Sequence, residues 1–248
     1  MQKPFNDSGS PIDSPRRVEL FSDFTSYVSG TDFSSVLTAS VTAATSDSFP
    51  GVVTLTDVPA VANDEAYIVG ASKFLDISQA GAIVFECAFR YAEQNTAYLN
   101  LIAGLTSNTT SGILATGSGG PRTTSSNFLV SKAGNATTLQ PYSCYSRGSI
   151  GTNFLQTLKT DQLPIADNTT WNTIRIEVVR IDSSYVEATY KFNGQPMLDA
   201  VRHQPFKHRC QYGTALPMAP VVGFRTGATA TNAETIDIDY IYAGQMKD

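Results

Sequence analysis

Alternation of apolar and polar residues is most regular between residues 171 and 197. Two runs in this stretch place apolar side chains at every second position, Ile174, Ile176 and Val178 in the first and Val186, Ala188, Tyr190 and Phe192 in the second. Successive side chains of a strand point to opposite faces, so the pattern predicts two strands that share one apolar face. Residues 181–184 are the predicted turn. Asn193-Gly194 is predicted to end the second strand, because both residues tolerate positive φ.

Two further stretches show the same alternation. Residues 81–91 place four apolar side chains on one face and Glu86 and Arg90 on the other. These two charged residues would lie about 13 Å apart along a strand. We therefore expect them to pair with neighbouring strands and not with each other. In residues 234–242 we expect Ile236, Ile238 and Tyr240 to share one face.

Shorter strands complete the predicted fold. Their expected positions are residues 18–21, 40–44, 51–55, 67–70, 98–105, 127–132, 138–145 and 221–225. Helical periodicity is nearly absent, and Gly and Pro separate the runs. This pattern predicts an all-β, antiparallel two-sheet jelly-roll sandwich. We expect its core to include Trp171, Ile174, Ile176, Phe192, Ile236 and Ile238.

The overall composition limits the domain organisation and the class of partner. The chain has 248 residues with a net charge of -5, which argues against a nucleic-acid groove because such a groove needs a basic face. No apolar run is long enough to predict a membrane span. Residues 1–17 contain three prolines and no alternation, so we predict an extended N-terminal arm followed by one β-sandwich domain over residues 18–248. We expect no signal peptide at the N-terminus.

Asp237 and Asp239 are the most plausible pair of catalytic carboxylates. On one strand they would lie about 6.6 Å apart, close to the lower limit for an inverting glycosidase. Glu234 would point away from them, however, and no third acid follows on their face. We therefore predict no catalytic residue and no enzyme activity.

Metal ligation is the other chemistry that the acidic and histidine residues allow. Loose calcium candidates are Asp57, Asn63, Asp64 and Glu65, together with Asp237 and Asp239, but no dense acidic loop of the calcium-binding type occurs. Three potential zinc ligands, His203, His208 and Cys210, lack a fourth and are expected in a basic surface loop or sheet edge. We expect Cys87 and Cys144 to be packed thiols. We predict no metal and no cofactor, and a bound calcium ion is the alternative.

Three segments resemble one fold family. Residues 171–177 (WNTIRIE), 190–194 (YKFNG) and 236–240 (IDIDY) are similar to strands of the concanavalin A-like lectin and glucanase fold, which includes laminin-G-like jelly rolls. The resemblance covers roughly residues 18–245 and implies an antiparallel two-sheet jelly roll. It does not imply one function, because this fold carries many.

The combination of arm and sandwich also resembles head decoration (cement) proteins of tailed bacteriophages. That resemblance implies a non-enzymatic virion protein, made in the host cytoplasm and located on the capsid surface. Its expected partners are the major capsid protein and copies of itself, as a homo-oligomer expected to be a trimer. The alternative is a glycan- or receptor-binding lectin-like module of a tail fibre or surface appendage. Clustered exposed tyrosines would favour the lectin-like module, and an ordered arm with an apolar interface would favour the capsid role.

Overall fold

The structure, a computed structural model of the chain, describes most of residues 17–247. The described residues are 17–25, 27–38, 40–45, 50–58, 61–92, 99–116, 121–122, 125–134, 136, 139–147, 150–155, 170–199, 202–211, 217–227 and 234–247. Residues 17, 80, 144–147, 150–155 and 247 are described by their backbone alone. The predicted arm lies outside the described residues except for Arg17, which begins the first strand.

Strands dominate the described residues. In chain order they are β1 (Arg17–Ser22), β2 (Phe33–Leu37), β3 (Val41–Thr45), β4 (Val53–Asp57), β5 (Glu65–Gly70), β6 (Leu75–Asp76), β7 (Ala80–Ala92), β8 (Leu99–Thr106), β9 (Asn127–Lys132), β10 (Gln140–Arg147), β11 (Ile150–Leu155), β12 (Asn172–Arg180), β13 (Tyr185–Phe192), β14 (Gln195–Pro196), β15 (Lys207–Gln211), β16 (Pro217–Thr226) and β17 (Glu234–Lys247). Within the described part of the chain, the one helical element is the 3-10 turn Ile77–Gln79, and no helix is long and apolar enough to cross a membrane.

The strands form two antiparallel sheets. Sheet 1 has nine strands in the order β14-β13-β12-β7-β17-β4-β3, with β1 beside β17 and β15 beside β13. Sheet 2 has eight strands in the order β11-β10-β9-β8-β16-β5-β2, with β6 beside β16. The sheets pack face to face around one large apolar cluster, which includes Phe85 and Ile174 from sheet 1 and Leu101 and Phe224 from sheet 2. The predicted all-β two-sheet sandwich is confirmed.

The central hairpin is confirmed in detail. Strands β12 and β13 pair with Ile176 opposite Tyr190, and all their predicted inward residues are buried. Asn193 and Gly194 form the two-residue loop that leads into β14, with φ of 48° and 77°. Both values lie in the left-handed region that hairpin loops of this length require.

A β-bulge in β17 changes which residues face the core. The register shifts between Ile238 and Tyr240, so Asp239 is the extra residue of the bulge. Ile241 and Ala243 are buried after the bulge, whereas Tyr240 turns outward. The prediction that Tyr240 shares a face with Ile236 and Ile238 is therefore wrong, because an inserted residue reverses the alternation.

Trp171 is a second correction. It was expected in the core, but it is half-buried, and the guanidinium of Arg90 lies 4.9 Å from its ring centroid. Ile174 and Ile176 point inward, so the odd-numbered positions next to them point outward. Trp171 follows that parity and belongs to the outer face of sheet 1. The other five predicted core residues are buried.

Candidate functional site

The outer face of sheet 2 carries a second apolar cluster. Its buried members are Tyr67, Val69, Ile102, Ile113, Leu114, Leu129, Tyr142, Ala219 and Val221. Ile113 and Leu114 belong to the connection between β8 and β9. The described part of this connection folds back onto the sheet, because two apolar side chains in a Ser/Thr/Gly-rich segment gain a buried surface there.

One ion pair is buried at the end of this cluster. Glu65 and Arg225 face each other directly across the antiparallel pair β5 and β16. Nη1 of Arg225 donates to Oε1 of Glu65 at 2.7 Å, and the two side chains are 9% and 4% exposed, respectively. Two charges are stable in such a place only when they are paired and hydrogen-bonded.

Further hydrogen bonds fix the position of this pair. The backbone N–H of Gly112 donates to Oε2 of Glu65 at 2.8 Å, and Nη1 of Arg225 also donates to the carbonyl of Leu114 at 2.9 Å. The hydroxyl of Tyr67 donates to Oε1 of Glu65 at 3.4 Å. Burial, followed by the charge of Glu65, raises the pKa of Tyr67 well above its ordinary value. Tyr67 is therefore a neutral phenol at physiological pH.

A polar cleft of about 300 Å³ opens beside this ion pair. The side chains that line it include Thr38, Asn63, Glu65, Ser111, Arg122 and Arg225. They come from the end of β2, the loop before β5, the connection between β8 and β9, and β16. We call this feature the Glu65–Arg225 cleft. The buried ion pair forms part of its wall, and its rim is open to solvent at Ser111 and Arg122.

The two carboxylates considered for catalysis do not form a pair. Asp237 accepts a hydrogen bond from Nε of Arg90 at 2.8 Å and another from the Thr54 hydroxyl at 2.6 Å. Asp239 occupies the bulge, where burial and the nearby charge of Asp23 raise its pKa. Because of the bulge, Asp237 and Asp239 do not share one face of a regular strand.

The loose calcium candidates do not all converge on one place, although Asp57 and Asp64 are close enough to interact. Asp57 is buried opposite Glu234 in the strand register, and burial together with the charge of Asp64 raises its pKa. Asp64 accepts a hydrogen bond from the Ser40 hydroxyl. Glu65 instead points to the outer face of sheet 2. Among the described residues, no group of three or more His, Cys, Asp or Glu side chains could hold a metal ion.

The three potential zinc ligands are also separated. His208 and Cys210 are buried on the inward face of β15, with Sγ of Cys210 3.2 Å from Nδ1 of His208. His203 is exposed and has a φ of 54°. His208 and Cys210 lie on β15, which pairs with β13 at the edge of sheet 1, so the predicted sheet edge is confirmed and the alternative of a surface loop is wrong for them. Burial lowers the pKa of His208 to about 4. Cys87 is buried as predicted, and the side chain of Cys144 lies outside the described part of the structure.

The outer face of sheet 1 carries charges of a different kind. Arg175 donates from Nη1 to Oε2 of Glu86 at 2.9 Å and from Nε to Oε1 of Glu177 at 2.7 Å. Lys191 reaches Oε1 of Glu177 at 3.4 Å. This row, the cross-strand charge ladder, joins β7, β12 and β13, and its side chains are 30–38% exposed. Glu86 and Arg90 thus pair with neighbouring strands and not with each other, as predicted.

Most residues of the Glu65–Arg225 cleft were not predicted from the sequence. Glu65 was considered only as a calcium ligand, and neither Arg122 nor Arg225 was considered for any site. A signal was present, because Glu65 and Arg225 are charged residues at the ends of otherwise apolar strands. Charges in such places are rarely buried unless they are paired.

Comparison with known proteins shows the fold. No protein-family model matches the chain, and no curated protein matches it. Among solved structures, the carbohydrate recognition domain of Emp47p is similar with a TM-score of 0.60 and 12% identity, covering 94% of this chain and 96% of that one. The endo-β-1,4-glucuronan lyase of the fungus Trichoderma reesei has a TM-score of 0.56 and 11% identity, with coverage of 91% and 94%.

A lectin-like protein of plants is a third similar structure. Arcelin-5 of Phaseolus vulgaris, a lectin-like defence protein, has a TM-score of 0.51 and 11% identity. The similarity covers 94% of this chain and 100% of that one. Identities this low show a common fold and do not by themselves identify a ligand. The chain therefore has the concanavalin A-like jelly-roll sandwich that the segments around residues 171, 190 and 236 suggested.

Proposed function

We propose that this chain is a lectin-like module that binds a glycan in the Glu65–Arg225 cleft. The observation that carries the proposal is a polar cleft built around a fixed, buried ion pair on the outer face of sheet 2. Its volume of about 300 Å³ lies at the lower end of the range for small-molecule sites. The fold is similar to that of a carbohydrate recognition domain and of a lectin-like protein, which supports this class of ligand.

The cleft is suited to binding because its polar groups are held in place before a ligand arrives. Thr38 exchanges hydrogen bonds with the backbone of Glu65, which fixes one side of the cleft. Gly112 is tied to the carboxylate of Glu65, which fixes the side that carries Ser111. A ligand that enters such a site loses less free energy to the ordering of protein side chains.

The groups beside the cleft are poor acid–base catalysts at neutral pH. Both oxygens of Glu65 accept hydrogen bonds, from Arg225 and from Gly112, so this carboxylate is not poised to take a substrate proton. Burial raises the pKa of Tyr67, so it stays a neutral phenol that is a very weak acid. Similar structures include both lectins and a lyase, and the absence of enzyme activity remains our prediction. Release of unsaturated products from polyuronates by the purified protein would contradict it.

A glycan array tests the proposed function. We expect the purified protein to bind at least one glycan class and expect Ser111→Trp to abolish that binding, because the indole would fill the open rim of the cleft. Ser183→Trp is the matched control, since Ser183 is exposed in the turn between β12 and β13. Binding by Ser111→Trp at the wild-type level, or no binding by the wild type, would contradict the proposal.

The bacteriophage capsid role remains a prediction with separate support. Large apolar side chains are exposed on and around sheet 1, with Met246 64%, Phe21 45% and Val179 42% exposed. Exposed apolar residues of this kind are compatible with a protein partner. Native mass spectrometry tests for a homotrimer. Adding the protein to shells that lack it tests for binding to a major capsid protein and for a location on the capsid surface. A monomer at micromolar concentration that does not bind shells would contradict this role.

A further inference from the structure

We propose that the Glu65–Arg225 cleft selects a sugar that carries a carboxylate, that is, a hexuronate, and that Arg122 binds this carboxylate. This inference rests on the proposed glycan-binding function and names the ligand class within it. Three features of the described residues carry it: the charge balance of the cleft, the free guanidinium of Arg122 and an unsatisfied donor on Arg225.

The charge balance of the cleft is opposite in sign to that of the whole chain. The chain has a net charge of -5, yet two guanidinium groups and one carboxylate line the cleft. Arg225 neutralises Glu65 at 2.7 Å. The positive charge of Arg122, at the rim, is therefore not neutralised by another described side chain of the cleft. An uncompensated cation in a concave site favours an anionic ligand over a neutral one.

Arg122 has no acidic partner among the described residues, and its side chain is exposed. The backbone of Arg122 itself is nevertheless hydrogen-bonded: its N–H donates to the carbonyl of Ile113, and its carbonyl accepts from Nδ2 of Asn127. The guanidinium lies over Gly112, where Nη1 would be 3.3 Å from a Cβ atom. Arg122 is thus held at the cleft with its fork of donors available for a planar, bidentate bond to a carboxylate.

Arg225 supplies a second donor in the wall of the cleft. Nη1 is engaged by Glu65 and by the carbonyl of Leu114, but the buried Nε has no hydrogen-bond partner in the described part of the structure. A buried donor without a partner is unfavourable. Nε is shielded from solvent in this structure, so a ligand oxygen, or a water that the ligand orders, satisfies it only by displacing part of the wall. Both arginines therefore favour an acceptor-rich group at the same place.

The described lining of the cleft contains no aromatic ring. Tyr67, the nearest phenol to the ion pair, is fully buried. Neutral sugars are commonly held by stacking on an aromatic side chain, which this described lining does not offer. The exposed tyrosine cluster that we set as the sign of a glycan site is not among the described residues of the cleft. Recognition in this cleft therefore depends on hydrogen bonds and charge. Among the substituents of a sugar, a carboxylate interacts most strongly through both.

Isothermal titration calorimetry at low ionic strength tests the inference with matched ligands. The probes are trisaccharides of glucuronate, galacturonate and mannuronate, each compared with its methyl ester. The ester keeps the sugar and removes the charge. We expect at least one acid to bind about tenfold or more tightly than its ester, the size of effect that corresponds to one charge-assisted hydrogen bond. We expect added salt to reduce this difference.

Two variants, Arg122→Gln and Arg122→Lys, test whether Arg122 is the residue that binds the carboxylate. We expect Arg122→Gln to bind acid and ester equally, because it retains hydrogen-bond donors but no charge. We expect Arg122→Lys to recover part of the preference. The thermal midpoint should not change in either variant, since Arg122 is exposed. A preference for the acid that survives Arg122→Gln would overturn the assignment of Arg122.

The calorimetry and the glycan array together distinguish failure of this inference from failure of the proposed function. Equal binding of acid and ester, abolished by Ser111→Trp, would overturn the carboxylate inference and leave glycan binding in the cleft intact. Binding of neither probe, together with an array on which Ser111→Trp matches the wild type, would overturn both. Tight binding of an acid that Ser111→Trp does not weaken would place the uronate site elsewhere and overturn the inference.

Discussion

The outer faces of the two sheets use the same pair of residue types in opposite ways. On sheet 1, Arg175 bridges Glu86 and Glu177 with side chains that are 30–38% exposed. On sheet 2, Arg225 bonds to Glu65 with side chains that are 9% and 4% exposed. Both arrangements join neighbouring antiparallel strands with bonds of 2.7–2.9 Å. Solvent access, and not bond length, distinguishes them.

This difference indicates which face has a specific role. Half-exposed pairs contribute little to stability and can be replaced by water. A buried pair requires the removal of two charges from water and is not an efficient way to stabilise a sheet. The pair on sheet 2 lies next to a cleft and fixes its wall, so we attribute it to the binding site. The cross-strand charge ladder on sheet 1 is a solvated sheet surface.

Glu65→Ala should show the largest effect. It would leave Arg225 buried without its counter-charge, and we expect a loss of about 3–5 kcal/mol in the free energy of unfolding. Chemical denaturation measures the loss. The double variant Glu65→Met plus Arg225→Met should recover most of it, because both charges are then absent. A double variant as unstable as the single one would contradict this account of the pair.

His208 is another buried ionisable residue, and its protonation makes the stability of the protein depend on pH. Burial holds its pKa at about 4, below the usual 6.5, so the unfolded chain takes up a proton on acidification before the folded protein does. Stability should therefore fall as the pH is lowered from 7 to 5, by at most about 2 kcal/mol from this residue. His208→Gln should lose less stability over that range than the wild type. Exposed His203→Gln is the control and should behave like the wild type.

Glu177→Gln on the cross-strand charge ladder should have the smallest effect. Arg175 lowers the pKa of Glu177, so the pair contributes stability at neutral pH and loses it as the pH falls through the carboxylate range. Because both groups are partly exposed, we expect a cost of about 0–1 kcal/mol that shrinks at high salt. A loss as large as that of Glu65→Ala would show that exposure does not separate the two faces.

Sequence alternation was enough to predict the sandwich but not the faces of every strand. It placed the inward residues of β12 and β13 correctly, because regular strands repeat every two residues. It failed after Ile238, since the bulge at Asp239 adds a residue that no pattern of apolar positions marks. Trp171 was expected in the core, although its position directly before β12 has the parity of the outward-facing residues.

The cleft could not be predicted because it depends on strand register. Glu65 and Arg225 are 160 residues apart in the chain and meet only because β5 and β16 pair in one alignment. Their charges within apolar strands predict burial with a partner, but not which partner. Arg122 gave no signal at all, since it lies in a Ser/Thr/Gly-rich connection whose path over sheet 2 is set by Ile113 and Leu114.

We propose that ligands bind on sheet 2 at the Glu65–Arg225 cleft and not on sheet 1. A titration of ¹⁵N-labelled protein with a hexuronate trisaccharide, followed by amide chemical shifts, tests this directly. We expect the largest shifts at Asn63, Ser111, Gly112 and Arg122, with no change along the cross-strand charge ladder. Shifts concentrated at Arg175 and Glu177, or none in the cleft at millimolar ligand, would contradict it.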